Sequence, residues 1–175
     1  MKDISELLAS LIKSAGKDLL YYELGVYKGK NLVNINNLCK NIKKIVGIDS
    51  YKEYIGTWGG KYFVGDKLAE LNKSIAHKAI KGKNKISIIE KDLFDIALDI
   101  DDNFIDVVFI DNCVKDGEVS KTIKCWINKV KVGGILCGTN YDLGNNSNEI
   151  LETIKSLNCI DKLKLIENRL WYIIK

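Results

Sequence analysis

Residues 21–31, YYELGVYKGKN, constrain the fold more than any other part of the chain. An apolar stretch over residues 19–24 carries Glu23 near its end and runs into two glycines, Gly25 and Gly29, ahead of a helical apolar period. Glycines in such places let a strand turn sharply into a helix and bring backbone close to a ligand. The segment therefore predicts a buried first strand, a glycine turn and a helix. A second apolar run, IVGID at residues 45–49, ends on Asp49. That carboxylate follows the turn by about twenty residues, the distance at which an acid meets a ribose diol in a nucleotide-binding βαβ unit.

Apolar periodicity predicts the remaining elements. Ile4, Leu7, Leu8, Leu11 and Ile12 predict a helix over residues 3–14, stopped at Gly16. Leu32, Val33, Ile35, Leu38 and Ile42 predict the helix after the glycine turn, and Leu68, Leu71, Ile75 and Ala79 share one apolar face of a helix from about residue 67 to 78. Strands are expected at residues 86–89 and, most clearly, at 105–111, IDVVFID. Val119, Ile123, Trp126, Ile127 and Val130 then form a helix face, ended by Gly133 and Gly134 before a fifth strand, ILCG. Ile150, Leu151, Ile154 and Leu157 mark a last helix. The runs at 163–166 and 170–174 are joined by so few residues that they must pair antiparallel. Residues 51–66 hold five aromatics among four glycines and read as a long irregular binding loop or lid, with Trp58 as a lid or stacking residue. The order predicts one doubly wound α/β domain over residues 1–175, with a mostly parallel seven-stranded sheet and a C-terminal antiparallel hairpin.

Composition narrows the partners. The net charge of +4 is spread along the chain without a dense basic block, so no nucleic-acid partner is expected. No apolar run reaches the roughly 20 residues that span a bilayer. Five cysteines without CxxC spacing, and no apolar leader, predict a reduced, cytoplasmic protein. A homo-oligomer is compatible with all of this.

Four carboxylates, Glu23, Asp49, Asp92 and Asp111, fall at predicted strand ends, where doubly wound folds bind ligands. Here the chain resembles class I S-adenosylmethionine-dependent methyltransferases. Within them it is similar to a small single-domain group reading E-x-G-x-x-x-G-x-S, IDPW, IDGDHSY, PGG and G-H-D-Y. The matching stretches are ELGVYKGKN, GIDSY, FIDNCVKDG and VGGILCGTNY, in that order. The resemblance implies a Rossmann-like methyltransferase fold with S-adenosylmethionine as cofactor. It implies Gly25 and Gly29 beside the methionine moiety and Glu23 near its amino group. Asp49 would accept both ribose hydroxyls, Tyr51 would pack on the adenine, and Asp92, with Leu93 alongside, would accept from the adenine amine. Asp111 would face the methyl group and the acceptor. The chain departs from the group where its acid and histidine usually stand, carrying Cys113 and Val114, and again at Thr139 and Asn140. Asp111 and Asn140 are left as the catalytic pair and as oxygen ligands for a Mg²⁺ ion.

The other reactive residues carry simpler readings. His77 is expected on a helix surface, Cys113, Trp126 and Trp171 in packing roles, and the scattered cysteines build no zinc site. The leading reading is O- or N-methyl transfer to a small-molecule or glycan acceptor. A non-catalytic protein binding S-adenosylmethionine or S-adenosylhomocysteine is the alternative. An NAD-dependent oxidoreductase is disfavoured because the turn lacks G-x-G-x-x-G. A nucleic-acid methyltransferase is disfavoured because a chain without proline has no NPPY-like tetrapeptide.

Overall fold

A computed structural model of the chain describes residues 2–56, 62–111, 117–141 and 146–175. The elements follow in the order α1 (Ile4–Lys13), β1 (Leu19–Leu24), α2 (Lys30–Leu38), β2 (Ile42–Ile48), β3 (Tyr54–Gly56), β4 (Tyr62–Val64), α3 (Asp66–Ile80), β5 (Ile86–Ile89), α4 (Leu93–Leu98), β6 (Ile105–Ile110), α5 (Glu118–Trp126), β7 (Val130–Gly138), α6 (Asn146–Ser156), β8 (Lys164–Ile166) and β9 (Leu170–Ile174). Seven strands form one sheet in the order β5-β2-β1-β6-β7-β9-β8. The first five are mutually parallel, and β9 and β8 close the sheet antiparallel. The chain winds outward from β1 through β2 to β5, then returns to place β6 on the other side of β1. The carboxyl ends of β1 and β6 are therefore the topological switch point.

Strand alternation sorts the core into two layers. Tyr21, Ile45, Val107 and Phe109 pack with α1, α2 and α3 on one face, and Tyr22, Leu24, Val46 and Val108 with α4, α5 and α6 on the other. Central strands buried on both faces read as continuous apolar runs, and for that reason β1 and β6 stand out in the sequence. Helix α1 begins at a capping box in which Asp3 accepts from the Ser5 backbone and Glu6 reaches back to the Asp3 N–H. Trp126 and Trp171 are fully buried, as their spacing suggested, and Trp126 lies with its ring centroid 6.4 Å from that of Tyr22.

Four expectations need correction. Ile42 opens β2 and does not extend α2, which stops at Leu38. Its neighbour Asn41 donates to the carbonyls of Ile12 and Gly16, tying the turn to the end of α1, so the spacing of Ile42 from Leu38 only mimics a helical period. Val130, Gly133 and Gly134 lie inside β7 and not at a helix end. There they form a bulge, with Gly133 at φ 80 and the pairing register shifting between Ile105 and Val107. Residues 54–56 and 62–64 are not irregular, since β3 and β4 pair antiparallel; Trp58 lies outside the described residues.

In α3 the apolar face is not the buried one. Leu68, Leu71 and Ile75 face outward, Leu71 with 54% of its surface exposed, and the buried face is Ala69, Asn72 and Ala76. The reason is a close approach to the glycine turn. A Cβ placed on Gly29, which has φ 75, would lie 3.2 Å from the Ala76 Cα. Only small side chains fit an interface that tight.

Gly138, at the end of β7, gives a direct check on packing. A Cβ there would sit 2.8 Å from the Trp171 indole. Overpacking of that kind costs typically about 1–3 kcal/mol. Gly138→Ala should lower the thermal midpoint by roughly 2–4 °C for each kcal/mol lost, and an unchanged melting curve would contradict the tight indole contact.

Candidate functional site

The carboxyl ends of β1, β2, β5 and β6 open onto two adjoining cavities. The first, about 300 Å³, is lined by Gly25, Asp49, Tyr51, Asn72, Asp92 and Leu93, among others. The second, about 420 Å³, lies toward the amino end of α1 and is lined by Ser5, Glu23, Asn31, Thr139, Asn140 and Arg169, among others. Tyr27 and Asp111 line both, so the cavities meet at the switch point.

Asp49 organises the wall between them. Its Oδ2 accepts from the backbone N–H groups of Val26 at 2.9 Å and Tyr27 at 3.0 Å, and its Oδ1 from that of Tyr51 at 2.9 Å. These bonds hold the glycine turn in an uncommon shape, with Gly25 at φ 91 and Tyr27 at φ 53, and they hold Tyr51 at φ 47. Non-glycine residues in this left-handed region cluster at ligand sites, where surrounding structure holds them. Asp92 caps α4, accepting from the Phe94 N–H at 2.8 Å, which leaves its second oxygen uncommitted by that bond. Tyr51 lines the first cavity while its ring also packs against the core on the α1–α3 side. Gly29 lines neither cavity; its work is the contact with Ala76.

Glu23 is 1% exposed and shares the β1 face with Tyr21. Its Oε2 accepts from the Tyr21 hydroxyl at 2.8 Å and from Asn31 Nδ2 at 2.6 Å. Asn31 in turn accepts from Ser5 at 2.8 Å, and Ser5 accepts from Asn34 at 3.1 Å, so the acid is held by a polar chain running into α1 and α2. Burial, helped by the nearby Asp111 carboxylate, pushes Glu23 up to about 8 despite these bonds. Asp111 is open to the cavity yet surrounded by protein on its other sides. That crowding pushes it up to about 6, against the lowering effect of the Thr139 hydroxyl, which donates to its Oδ1 at 2.6 Å.

The expected residues thus divide by place. Gly25, Asp49, Tyr51, Asp92, Leu93 and Asp111 come together on the first cavity, and Glu23, Asp111 and Asn140 on the second. His77 is on the surface, where it pairs with Glu90 at 2.8 Å. Cys113 and Val114 lie outside the described residues. Asn31 and Asn72 escaped the reading of the sequence. Asn31 occupies the last position of ELGVYKGKN, and Asn72 is a polar residue within a stripe of alanines; both signals were present but look like ordinary surface asparagines.

A Mg²⁺ ion fits the described donors poorly. Asn140, in a left-handed turn at φ 62, and Asp111 give at most two ligands, and Thr139 already engages one Asp111 oxygen. Among the described residues, no group of three or more His, Cys, Asp or Glu side chains could hold a metal ion. Among them, too, no helix is long and apolar enough to cross a membrane.

Comparison with known proteins bears on this geometry. Residues 22–141 match a family model described as a methyltransferase domain. No curated protein sequence matches significantly. Among solved structures, a proposed caffeoyl-CoA O-methyltransferase from Staphylococcus aureus is similar with a TM-score of 0.68 at 15% identity, covering 100% of this chain and 85% of that one. An O-methyltransferase from Bacillus cereus, solved with SAH, has a TM-score of 0.65 at 12% identity and covers 98% of this chain and 80% of its own. TomG, an O-methyltransferase from Streptomyces achromogenes solved with SAM, has a TM-score of 0.67 at 10% identity, covering 98% and 79%. At such identities the likeness is one of fold.

The buried acid has a measurable cost. Glu23 titrates near 4.5 when unfolded and near 8 when folded, so between those values the folded state binds more protons. Stability then falls as pH rises from about 4.5 to 8. Glu23→Gln keeps an acceptor for Tyr21 and Asn31 but removes the charge. Its thermal midpoint should exceed that of the wild type at pH 8 and match it near pH 4.5, with about 2–4 °C for each kcal/mol recovered. A shift of equal size at both pH values would show that the side chain is not held protonated by the fold.

Proposed function

Because the chain belongs to the family of methyltransferase domains, we propose that it transfers a methyl group from S-adenosylmethionine to an oxygen or nitrogen atom of a small-molecule or glycan acceptor. The observation that carries this reading is the convergence of Asp49, Asp92 and Asp111 on one cavity that adjoins, through Asp111 and Tyr27, a second cavity holding Glu23. The first cavity has the groups to grip an adenosine: an acid for ribose hydroxyls, and Asp92 with the Leu93 backbone for the adenine edge. Glu23, within its polar chain, suits an ammonium group, which would favour its ionised form.

S-adenosylmethionine, when bound, supplies a methyl group already activated on a sulfonium. The protein then has only to place the acceptor and remove its proton. Asp111 stands where the cavities meet, and an acid near 6 is mostly ionised at neutral pH while still basic enough to take a proton from an acceptor hydroxyl or ammonium. Thr139 fixes the orientation of that carboxyl, and Asn140, lining the same cavity, offers an amide to the acceptor. The departures from the related motifs at Thr139 and Asn140 support a second reading, a protein that binds the cofactor without catalysis.

Calorimetric titration with S-adenosylhomocysteine should show binding in the micromolar range that Asp49→Ala weakens by at least about 100-fold, roughly the cost of losing a charged hydrogen-bonding group. No uptake by the wild-type chain would end the proposal. Methyl transfer from labelled cofactor into any component of a metabolite extract would reject the non-catalytic reading. Asp111→Asn should lower kcat by about 10²–10⁴, the usual worth of a positioned base, while leaving cofactor affinity within a few-fold. Wild-type activity should decline as pH drops below about 6.

A further inference from the structure

Among the described residues, five buried side-chain polar atoms have no hydrogen-bond partner, and three of them, Tyr51 Oη, Asn72 Oδ1 and Glu118 Oε2, belong to residues lining the first cavity. Buried polar groups are nearly always paired, so three orphans around one cavity point to a polar ligand that completes them. Asn72 is the most telling. It is 2% exposed and lies between Ala69 and Ala76 on the buried face of α3, so its amide oxygen is shut away from bulk water.

The chemistry of Asp49 says what Asn72 is for. A carboxylate offers about four lone-pair sites, and Val26, Tyr27 and Tyr51 already fill three of them on Asp49. One site is left, whereas a ribose presents two hydroxyls. Surrendering a backbone bond to take both would loosen the turn that shapes the cavity. We infer that Asp49 and Asn72 divide the ribose: one hydroxyl donates to the free site of Asp49, and the other is held by the Asn72 amide. This assignment rests on the proposed nucleoside site and refines the expectation that Asp49 takes both hydroxyls alone. An amide is neutral and can rotate to present either its oxygen or its NH₂, so it adds no charge to a cavity already rich in carboxylates.

The test titrates the full chain with S-adenosylhomocysteine and with its 2′-deoxy and 3′-deoxy analogues. For the wild type, each missing hydroxyl should weaken binding about tenfold, the fold-change for one net hydrogen bond. Asn72→Leu, which keeps the branching of the side chain but removes its polar atoms, should bind S-adenosylhomocysteine about tenfold more weakly and should no longer distinguish it from one of the two analogues. Unchanged affinity and unchanged discrimination in Asn72→Leu would overturn the assignment. If that variant does not fold, as judged by circular dichroism, a structure of the wild-type complex decides instead. An Asn72 amide within about 3.2 Å of a ribose hydroxyl supports the division, and one beyond about 4 Å from both overturns it. Failure of the wild type to bind S-adenosylhomocysteine at all removes the nucleoside site itself. Binding lost in Asp49→Ala but kept intact in Asn72→Leu removes only the inference.

Discussion

The carboxylate of Asp49 draws the backbone N–H groups of Val26, Tyr27 and Tyr51 onto one side chain, joining the turn after β1 to the loop after β2. Charge-assisted bonds of this kind are stronger than neutral ones, and here they hold Tyr27 and Tyr51 at positive φ, a conformation that non-glycine residues seldom adopt unaided. The rest of the site follows from that knot. It orients the cavity wall, leaves Gly25 facing the ligand space, and sets the start of α2, from which Asn31 reaches back to Glu23.

Glu23 and Asp111 supply the opposite element, a pair of acids that the fold holds uncomfortably close. Neither is paired to a cation among the described ion pairs, and both are pushed upward by desolvation. Structural acids are ordinarily stabilised in their charged form by a neighbouring base; these two are not. Perturbation by burial at a cleft, in the company of neutral hydrogen-bond donors such as Tyr21, Asn31 and Thr139, is the pattern expected of groups kept for chemistry rather than for stability.

Much of this was legible from residue order alone. β1 and β6 are buried on both faces and so announce themselves as unbroken apolar runs, and the carboxylates at strand ends are found where the alternation of strands and helices puts them. What could not be read were features decided by contact between distant segments. The inner face of α3 is small because Gly29 approaches it, yet hydropathy favoured the larger Leu68, Leu71 and Ile75, which face outward. Gly133 and Gly134 resemble a helix stop, but the neighbouring strand turns them into a bulge. Asn31 and Asn72 became visible as site residues only once the sheet had brought β1, α2 and α3 to one edge. Periodicity reports which residues are apolar; it does not report how close the neighbouring backbone comes.

The contact between Gly29 and Ala76 fixes the roll of α3 about its own axis. Turning the helix to bury its leucines would drive side chains into the glycine turn, so the arrangement is locked by sterics and not by hydrophobicity. The two sides of this helix therefore differ in what they can tolerate. Its outward stripe can accept polar or apolar residues with little effect on the fold, whereas at Ala76 the glycine turn leaves no room for a larger side chain.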